Sequence, residues 1–117
     1  MQGFLTSARN LLGKIEYSSI LEVGCGPGDL AAAIVPSTAT YLGIDIDSRE
    51  VETARIRYPN LSFAVGSAYE LPVESKSIDL VIACEVLEHL EDPVKALAEI
   101  DRVAKEWVLV SVPREPL

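Results

Sequence analysis

Three glycines stand between two acidic residues in the stretch LEVGCGPGDL. Gly24, Gly26 and Gly28 follow an apolar run, with Glu22 shortly before them and Asp29 directly after them. Glycine adopts backbone conformations that other residues avoid, and its lack of a side chain lets a ligand approach the main chain closely. The spacing therefore predicts a tight turn from a strand into a helix, passing beneath a bound ligand.

The spacing of these glycines also indicates which ligand the turn serves. A dinucleotide-binding turn has its third glycine three residues after the second, but Asp29 occupies that position here. Its carboxylate would stand near the helix N-terminus, where a pyrophosphate would otherwise bind. We therefore expect a ligand with a ribose and positive charge but no phosphate, and a nicotinamide-dinucleotide or nucleotide-sugar enzyme becomes the less favoured alternative.

A third acidic residue, Asp45, follows the next apolar run, nineteen residues after Gly26. An acid at this distance can accept hydrogen bonds from both hydroxyls of a ribose in the crevice. Its charge makes such hydrogen bonds strong. Considered alone, Asp45 could instead cap a helix, and the glycine turn could be a purely structural connection.

The two cysteines, Cys25 and Cys84, are predicted to end adjacent strands beside the ligand. Two cysteines are too few for a disulfide scaffold or for a zinc site made of cysteine alone. A redox pair is conceivable, but the sequence places no activating base or cation beside either thiol. We assign both cysteines packing roles at the ligand site.

The stretch EVLEHLED carries the candidate catalytic residues Glu85 and His89. His89 is the only histidine of the chain, so it is the first candidate for a base near neutral pH, with Glu85 second. On one helical turn Glu85, Glu88 and His89 would share a face and could bind Mg²⁺ or Mn²⁺. Three ligands are fewer than such hard cations need, so we predict no bound metal. The alternative to a metal site is that Glu88 and His89 form a local ion pair and cap.

Apolar runs and helical patterns alternate along the chain and would position these residues. The runs LVIA and VLV are apolar throughout, as in strands that are covered on both faces. Asp92 and Pro93 predict the start of the last helix. Ser48 is a candidate N-cap of an earlier helix. Residues 69–77 are predicted to form a polar surface loop. Helices are predicted at 2–16, 29–35, 48–58 and from 93 to about 105, and strands at 19–23, 41–44, 61–65, 78–83 and 107–112. The pattern predicts an α/β fold, a doubly wound, Rossmann-like parallel sheet.

Composition narrows the class of protein further. The 117 residues suit a single domain, 1–117, and the net charge of −8 disfavours bulk binding to nucleic acid. No apolar run approaches the length of about 20 residues that spans a membrane, and the first residues do not resemble a signal peptide. We expect a cytoplasmic protein that does not bind membranes.

Four stretches in the same order resemble class I S-adenosylmethionine-dependent methyltransferases, particularly the branch with small-molecule O- and C-methyltransferases such as those of the ubiquinone pathway. They are ILEVGCGPG at 20–28, GIDID at 43–47, AVGSAYELPVESKSIDLVIACEVLEHLEDP at 64–93 and EIDRVAKEWVLVSVP at 99–113. The resemblance implies the strand order 3-2-1-4-5, S-adenosylmethionine as cofactor with S-adenosylhomocysteine as product, and transfer of a methyl group to a small-molecule acceptor.

The resemblance also implies a role for each matching residue. Glu22 would bind the amino group of the methionine part of the cofactor, and Asp45 would bind the ribose. The glycine loop, made of Gly24, Cys25, Gly26 and Gly28, would pass beneath the methionine part. Ile46 would pack on the adenine, while Ser67 and Ala68 would hold its edge, with Cys84 nearby. Ser67 departs from the family pattern, which often has an aspartate there, and the exchange removes about one ordinary hydrogen bond, ~1 kcal/mol.

Members of this family usually continue past the fifth strand with a helix and an antiparallel pair of strands. We expect this chain to lack those strands and to be an incomplete domain whose fifth strand is an exposed edge. A second copy or a partner chain could cover that edge. The alternative function is a cofactor-binding fragment or partner subunit without turnover of its own. The sequence does not identify the acceptor or show whether an oxygen, a nitrogen or a carbon atom is methylated.

Overall fold

The computed structural model describes residues 2–111, along which strands and helices alternate except between the third and fourth strands, which no helix separates. None of the helices in this range is long and apolar enough to cross a membrane. The helices are α1 (Gln2–Leu12), α2 (Asp29–Ile34), α3 (Ser48–Arg57) and α4 (Pro93–Val103), with a short 3₁₀ helix at Leu87–His89. The strands are β1 (Ser19–Val23), β2 (Thr40–Asp45), β3 (Ser62–Val65), β4 (Ile78–Cys84) and β5 (Ala104–Ser111).

The five strands form one sheet in the order β3-β2-β1-β4-β5, which confirms the predicted fold class and strand order. Every neighbouring pair is parallel. The chain therefore reverses its direction of winding between β1 and β4, and the carboxyl ends of these two strands border a crevice. In open α/β sheets this crevice is where ligands bind.

At the centre of the sheet both faces are covered, as the apolar run LVIA of β4 predicted. The same prediction for the run VLV of β5 is wrong, because this strand lies at the edge of the sheet and Val108 is 46% exposed. On β1, Ile20 joins a core with residues of α1, α2 and α3, whereas Leu21 joins a core with residues of α4 on the opposite face. Both side chains are at most 1% exposed. Because side chains alternate along a strand, Glu22 is placed toward the face covered by α1, α2 and α3.

Several element boundaries differ from the sequence prediction. Helix α1 ends at Leu12 rather than 16, because Gly13 follows and glycine disfavours a helix. The N–H groups of Lys14 and Ile15 then bond to carbonyls three residues back instead of four. The N-cap of α3 is Asp47, whose carboxylate accepts from the Arg49 N–H at 2.9 Å, and Ser48 is the first residue of the helix. An aspartate one residue earlier thus takes the place predicted for Ser48.

The last strand begins earlier than predicted. Helix α4 starts at the predicted Asp92 cap and Pro93 but ends at Val103, and β5 follows at once. A register irregularity between Ile78 and Leu80 places an additional residue on β5, so the strand extends back to Ala104. The predicted end at 112 lies outside the described residues.

The loop at 69–77 is more than a polar surface segment. Leu71 is 4% exposed, and its N–H donates to a carboxylate oxygen of Glu99 at 2.6 Å. Arg102 pairs with the same carboxylate and also donates to the Leu71 carbonyl at 3.2 Å. Two charged residues of α4 therefore anchor this loop against the sheet.

Candidate functional site

The predicted glycine turn lies at the carboxyl end of β1, where it enters α2. Gly24 has a φ of 74°, and a side chain there would overlap Val86, which follows β4. Gly28 has a φ of 88° and caps α2; a Cβ on it would lie 2.9 Å from Phe63 and Tyr58. Gly24 thus brings the loop close to the segment after β4, whereas Gly28 is needed for packing and lines neither cavity described below.

Asp45, at the end of β2, is held by two backbone groups. Its Oδ2 accepts from the N–H of Gly26 at 2.9 Å, and its Oδ1 accepts from the N–H of Asp47 at 2.9 Å. A carboxylate can accept about four hydrogen bonds, so each oxygen keeps acceptor capacity for a ligand. The side chain is therefore fixed before any ligand arrives.

Glu22 is the one charged side chain that is buried among the described residues, at 4% exposure. Its Oε1 accepts a hydrogen bond from the Tyr41 hydroxyl at 2.6 Å. Burial raises the pKa of Glu22 to about 7; the hydrogen bond from Tyr41 lowers it, and the nearby charge of Asp45 raises it. The carboxyl group thus holds its proton to a higher pH than an ordinary glutamate does, and a nearby cation would favour its ionised form.

A cavity of about 350 Å³ opens at the carboxyl ends of β1, β2 and β3. Its size falls in the range of small-molecule sites. The residues predicted to hold a nucleoside meet here, and Ile46 leaves 73% of its surface exposed. The lining includes Gly24, Asp45, Ile46, Ser67, Ala68, Tyr69, Glu85, Val86 and His89.

A second cavity of about 300 Å³ lies next to the first. Gly24 and Glu85 line both cavities, so these two residues mark the boundary between them. The structure therefore brings Glu22 to one side of the boundary and Asp45 to the other. The lining of the second cavity includes Glu22, Gly24, Cys25, Gly26, Asp29, Cys84 and Glu85.

Asp29 places its carboxylate at the N-terminus of α2. Its carboxylate accepts from the Tyr58 hydroxyl at 2.6 Å and pairs with Arg57 at 3.3 Å. Among the described residues, no lysine or arginine lines either cavity. The site thus fits a cationic ligand better than one that carries phosphate.

Both cysteines line the second cavity as neutral thiols. Burial raises the pKa of Cys25 to about 12, helped by the nearby charges of Glu22 and Asp45. Burial likewise raises the pKa of Cys84 to about 11. A thiol with a raised pKa is a poor nucleophile, and this supports the packing role assigned to both residues.

The candidate catalytic residues do not lie on one helical turn. Glu85 has a φ of 56°, and the 3₁₀ helix begins only at Leu87, so Glu85 does not share a helical face with Glu88 and His89. Glu85 is exposed, and its N–H donates to Ser111 Oγ at 2.9 Å. Within residues 2–111, no cluster of three or more acidic, histidine or cysteine side chains is arranged to hold a metal ion.

Sequence reasoning missed Tyr41 and Val86. Tyr41 lies in an apolar strand, where a tyrosine is expected to be a core residue. A glutamate in the neighbouring buried strand was nevertheless a signal, because a buried carboxylate needs a hydrogen-bond donor. Val86 packs over Gly24 because the left-handed backbone of Glu85 turns the chain there. No sequence pattern predicts a left-handed backbone conformation at a glutamate.

The residues present fit a nucleoside that carries a positively charged amino-acid end. Asp45 has fixed acceptors that suit paired hydroxyls, Glu22 has an ionisable acceptor that suits an ammonium, and Gly24 lines both cavities between them. S-adenosylmethionine has this combination of groups. The fit rests on the chemistry of these acceptors and on the two adjoining cavities.

Comparison with known proteins agrees with this reading. The model of the methyltransferase domain family matches residues 21–110. A probable S-adenosylmethionine-dependent methyltransferase of Mycolicibacterium smegmatis is 36% identical over 96 residues, which cover 80% of this chain and 37% of that protein. A ubiquinone biosynthesis O-methyltransferase of Paracidovorax citrulli is 32% identical over 108 residues, which cover 86% of this chain and 45% of that protein.

A solved structure shows the same architecture. It comes from the complex between the Haloferax volcanii Trm112 methyltransferase activator and a methyltransferase, with a TM-score of 0.71 and 28% identity. The match covers 84% of this chain and 46% of that chain, so this chain spans less than half the length of each of the three proteins. Family and fold together imply S-adenosylmethionine as the cofactor. The chain belongs to the methyltransferase domain family, in the class whose relatives depend on S-adenosylmethionine.

Proposed function

We propose that this chain is the cofactor-binding part of an enzyme that transfers a methyl group from S-adenosylmethionine to a small-molecule acceptor. The observation that carries the proposal is the placement of Asp45 and Glu22 in two adjoining cavities that meet at Gly24 and Glu85. A nucleoside with an amino-acid tail spans such a boundary, and its reacting centre belongs near the middle.

The larger cavity is assigned to the nucleoside. Asp45 accepts hydrogen bonds from the ribose hydroxyls, because its two oxygens are already oriented by backbone donors. Ile46 offers an exposed apolar surface to the adenine. Ser67 and Ala68 border the same cavity and are assigned to the adenine edge.

The smaller cavity is assigned to the methionine part. Glu22 accepts from the ammonium group, and the loop around Cys25 and Gly26 provides a close-fitting wall. Cys84 packs on the side of β4. Ionised Glu22 and an ammonium group form a charge-assisted hydrogen bond in a partly desolvated site, so this contact contributes both affinity and orientation.

For methyl transfer, the main task of the protein is to position the acceptor against the methyl group of the cofactor. When bound, S-adenosylmethionine supplies a methyl group that its sulfonium already activates. The chain orients the acceptor and excludes water, since correct placement of two reactants supplies much of the acceleration. The sequence ranks His89 before Glu85 as the base, but Glu85 borders both cavities whereas His89 borders only the larger one. We therefore reverse that order and assign Glu85 to accept the proton that an acceptor hydroxyl or amine releases, with His89 as the second candidate.

A small-molecule acceptor agrees with the charge of the chain. The net charge is −8, and the cleft carries acidic residues from both sides, so it would repel the phosphates of a nucleic acid. The relative from Paracidovorax citrulli is named for an O-methylation in ubiquinone biosynthesis, which is methylation of a small molecule. These two observations favour a small, uncharged or cationic acceptor.

A second candidate function is a cofactor-binding subunit that needs another chain for turnover. The similar Haloferax volcanii structure comes from a complex with a methyltransferase activator. Strand β5 leaves Trp107 and Val108 exposed at the edge of the sheet, where another chain could bind. In this candidate function, a second copy of this chain or a different partner covers the edge of β5.

The test is calorimetric titration with S-adenosylhomocysteine and, in parallel, with NAD. We expect saturable binding of the first ligand and none of the second; the reverse would overturn the assignment of the cofactor. Transfer of a labelled methyl group across a panel of phenols, amines and carbon acids then separates enzyme from subunit. Binding without transfer to any acceptor would favour the second candidate.

A further inference from the structure

We propose that Tyr41 is a positioning residue for the amino-acid end of the cofactor, acting through Glu22. The Tyr41 hydroxyl donates to Oε1 of Glu22 at 2.6 Å, and both side chains are buried. Among the described residues, Tyr41 is the one donor that bonds this carboxylate. Because Oε1 is held in this way, the second oxygen is left as the acceptor for a ligand ammonium. The inference rests on the proposed function, since it presumes that Glu22 binds this group.

The surroundings of Tyr41 fix the position of its hydroxyl. Its ring packs edge to face against Phe63, with ring centres 5.7 Å apart and an interplanar angle of 71°. Gly43, two residues further along β2, leaves the space that the hydroxyl occupies. A Cβ on Gly43 would lie 2.5 Å from that oxygen and 2.9 Å from the Cβ of Cys25. Gly43 and Phe63 therefore leave a space that fits the Tyr41 side chain in this orientation.

The same hydrogen bond favours the charged form of Glu22. A carboxylate must be ionised to attract an ammonium, and burial at this position opposes ionisation by raising the pKa. The hydrogen bond from Tyr41 lowers the pKa again. Tyr41 and Asp45 of β2, Cys25 of the loop and Cys84 of β4 interact electrostatically with Glu22. Asp29 and Glu85 line the same cavity, and none of these six groups is basic. Tyr41 is thus the group that favours the ionised form.

The experiment compares two ligands on Tyr41→Phe. S-adenosylhomocysteine carries the amino-acid end, whereas 5′-methylthioadenosine has the same nucleoside thioether without it. We expect the substitution to weaken S-adenosylhomocysteine at least about tenfold, the effect of losing one hydrogen bond to a charged group. Binding of 5′-methylthioadenosine should change by no more than about twofold, which is roughly a third of that free energy. An equal loss for both ligands would show a merely structural role and would overturn the proposal.

A pH series provides a second, independent readout. For the unsubstituted chain, affinity for S-adenosylhomocysteine should rise from pH 6 to pH 8 as Glu22 ionises. In Tyr41→Phe the midpoint of this rise should move to higher pH, because a contact that favours the carboxylate is gone. A midpoint that does not move would contradict the proposal even if the affinity falls.

Two further variants keep the test clear. Tyr17→Phe removes a hydroxyl near the amino ends of the strands and should leave both ligands unaffected. In a Glu22→Gln background, Tyr41→Phe should have no further selective effect on S-adenosylhomocysteine, and a persistent one would overturn the proposal. If the unsubstituted chain bound neither ligand, the proposed function itself would fail, an outcome distinct from equal losses in Tyr41→Phe.

Discussion

The backbone N–H of Gly26 donates a hydrogen bond to Asp45 over 2.9 Å, and this contact ties the glycine loop to the end of β2. The other oxygen of Asp45 accepts from the N–H of Asp47, the N-cap of α3. One carboxylate therefore organises two loops of the cleft in addition to any ligand contact. Replacing Asp45 should affect both the ligand and the loops.

Asp45→Ala should weaken binding of S-adenosylhomocysteine at least about tenfold, the equivalent of ~1.4 kcal/mol. The variant loses the charged acceptor for the ribose and frees the Gly26 N–H. Isothermal titration calorimetry measures the change. Asp45→Asn is the matched control, because it keeps one oxygen acceptor and a similar volume but removes the charge; we expect an intermediate loss. Unchanged affinity in Asp45→Ala would remove this residue from the site.

Gly24→Ala should destabilise the protein by about 1–3 kcal/mol, the usual cost of a strained backbone conformation. The φ of 74° disfavours any Cβ, and the added methyl group would overlap Val86. Urea denaturation measures the change. Gly3→Ala is the control: Gly3 lies in α1 with open space around its Cβ position, so alanine there should stabilise by roughly 0.5–1 kcal/mol.

A further variant separates the two causes of strain at Gly24. In Gly24→Ala combined with Val86→Ala the overlap is removed but the unfavourable φ persists. We expect the double variant to unfold more easily than Val86→Ala alone. Equal stability of these two proteins would show that the backbone conformation at Gly24 carries no strain.

The sheet could be predicted because its signals are local and repeated. Apolar runs such as that of β4 mark strands covered on both faces, and Asp92 with Pro93 marks a helix start by backbone chemistry alone. The end of α4 could not be predicted, because it depends on the irregular pairing of β4 with β5 near Ile78. Pairing is a long-range property that no short window of sequence contains.

Spacing predicted the glycine turn and Asp45 at the cleft, and the family resemblance added Ile46, Ser67 and Ala68, but Val86 and the contacts that hold the site were not predicted. Glu22 and Asp45 could be found from the glycine turn, whereas the bond from Tyr41 needs the register of two strands. Leu71 was missed in the same way, since its anchors Glu99 and Arg102 come from a distant helix. Individual side-chain partners across elements depend on tertiary geometry.

Folding stability should fall as pH rises through the range in which Glu22 ionises. The pKa of Glu22 is about 7 in the folded chain, above the ordinary glutamate value, so the folded state holds this proton more tightly than the unfolded state. The stabilisation from the proton is complete below about pH 4.3 and is lost as pH rises through about 7, a difference on the order of 3 kcal/mol. Urea denaturation at pH 5 and pH 8 measures it.

Glu22→Gln isolates this contribution, because the amide keeps the shape and an acceptor for Tyr41 but does not titrate. The difference in free energy of unfolding between the two proteins should change with pH, favouring the unsubstituted chain at pH 5 and the variant at pH 8. Parallel pH dependences of the two proteins would contradict a raised pKa at Glu22.

The edge of β5 should mediate self-association of this chain. An edge strand offers unpaired backbone groups, and here it also exposes Val108 and Trp107, by 46% and 39%. Val108→Lys should weaken a dimer at least about tenfold, since a charge replaces an apolar contact worth about 1.5 kcal/mol. Light scattering over a dilution series measures the dimer. Ile56→Lys, an equally charged change on α3 at a side chain that is 74% exposed, should leave association unchanged; a monomer at every concentration would exclude a second copy at this edge.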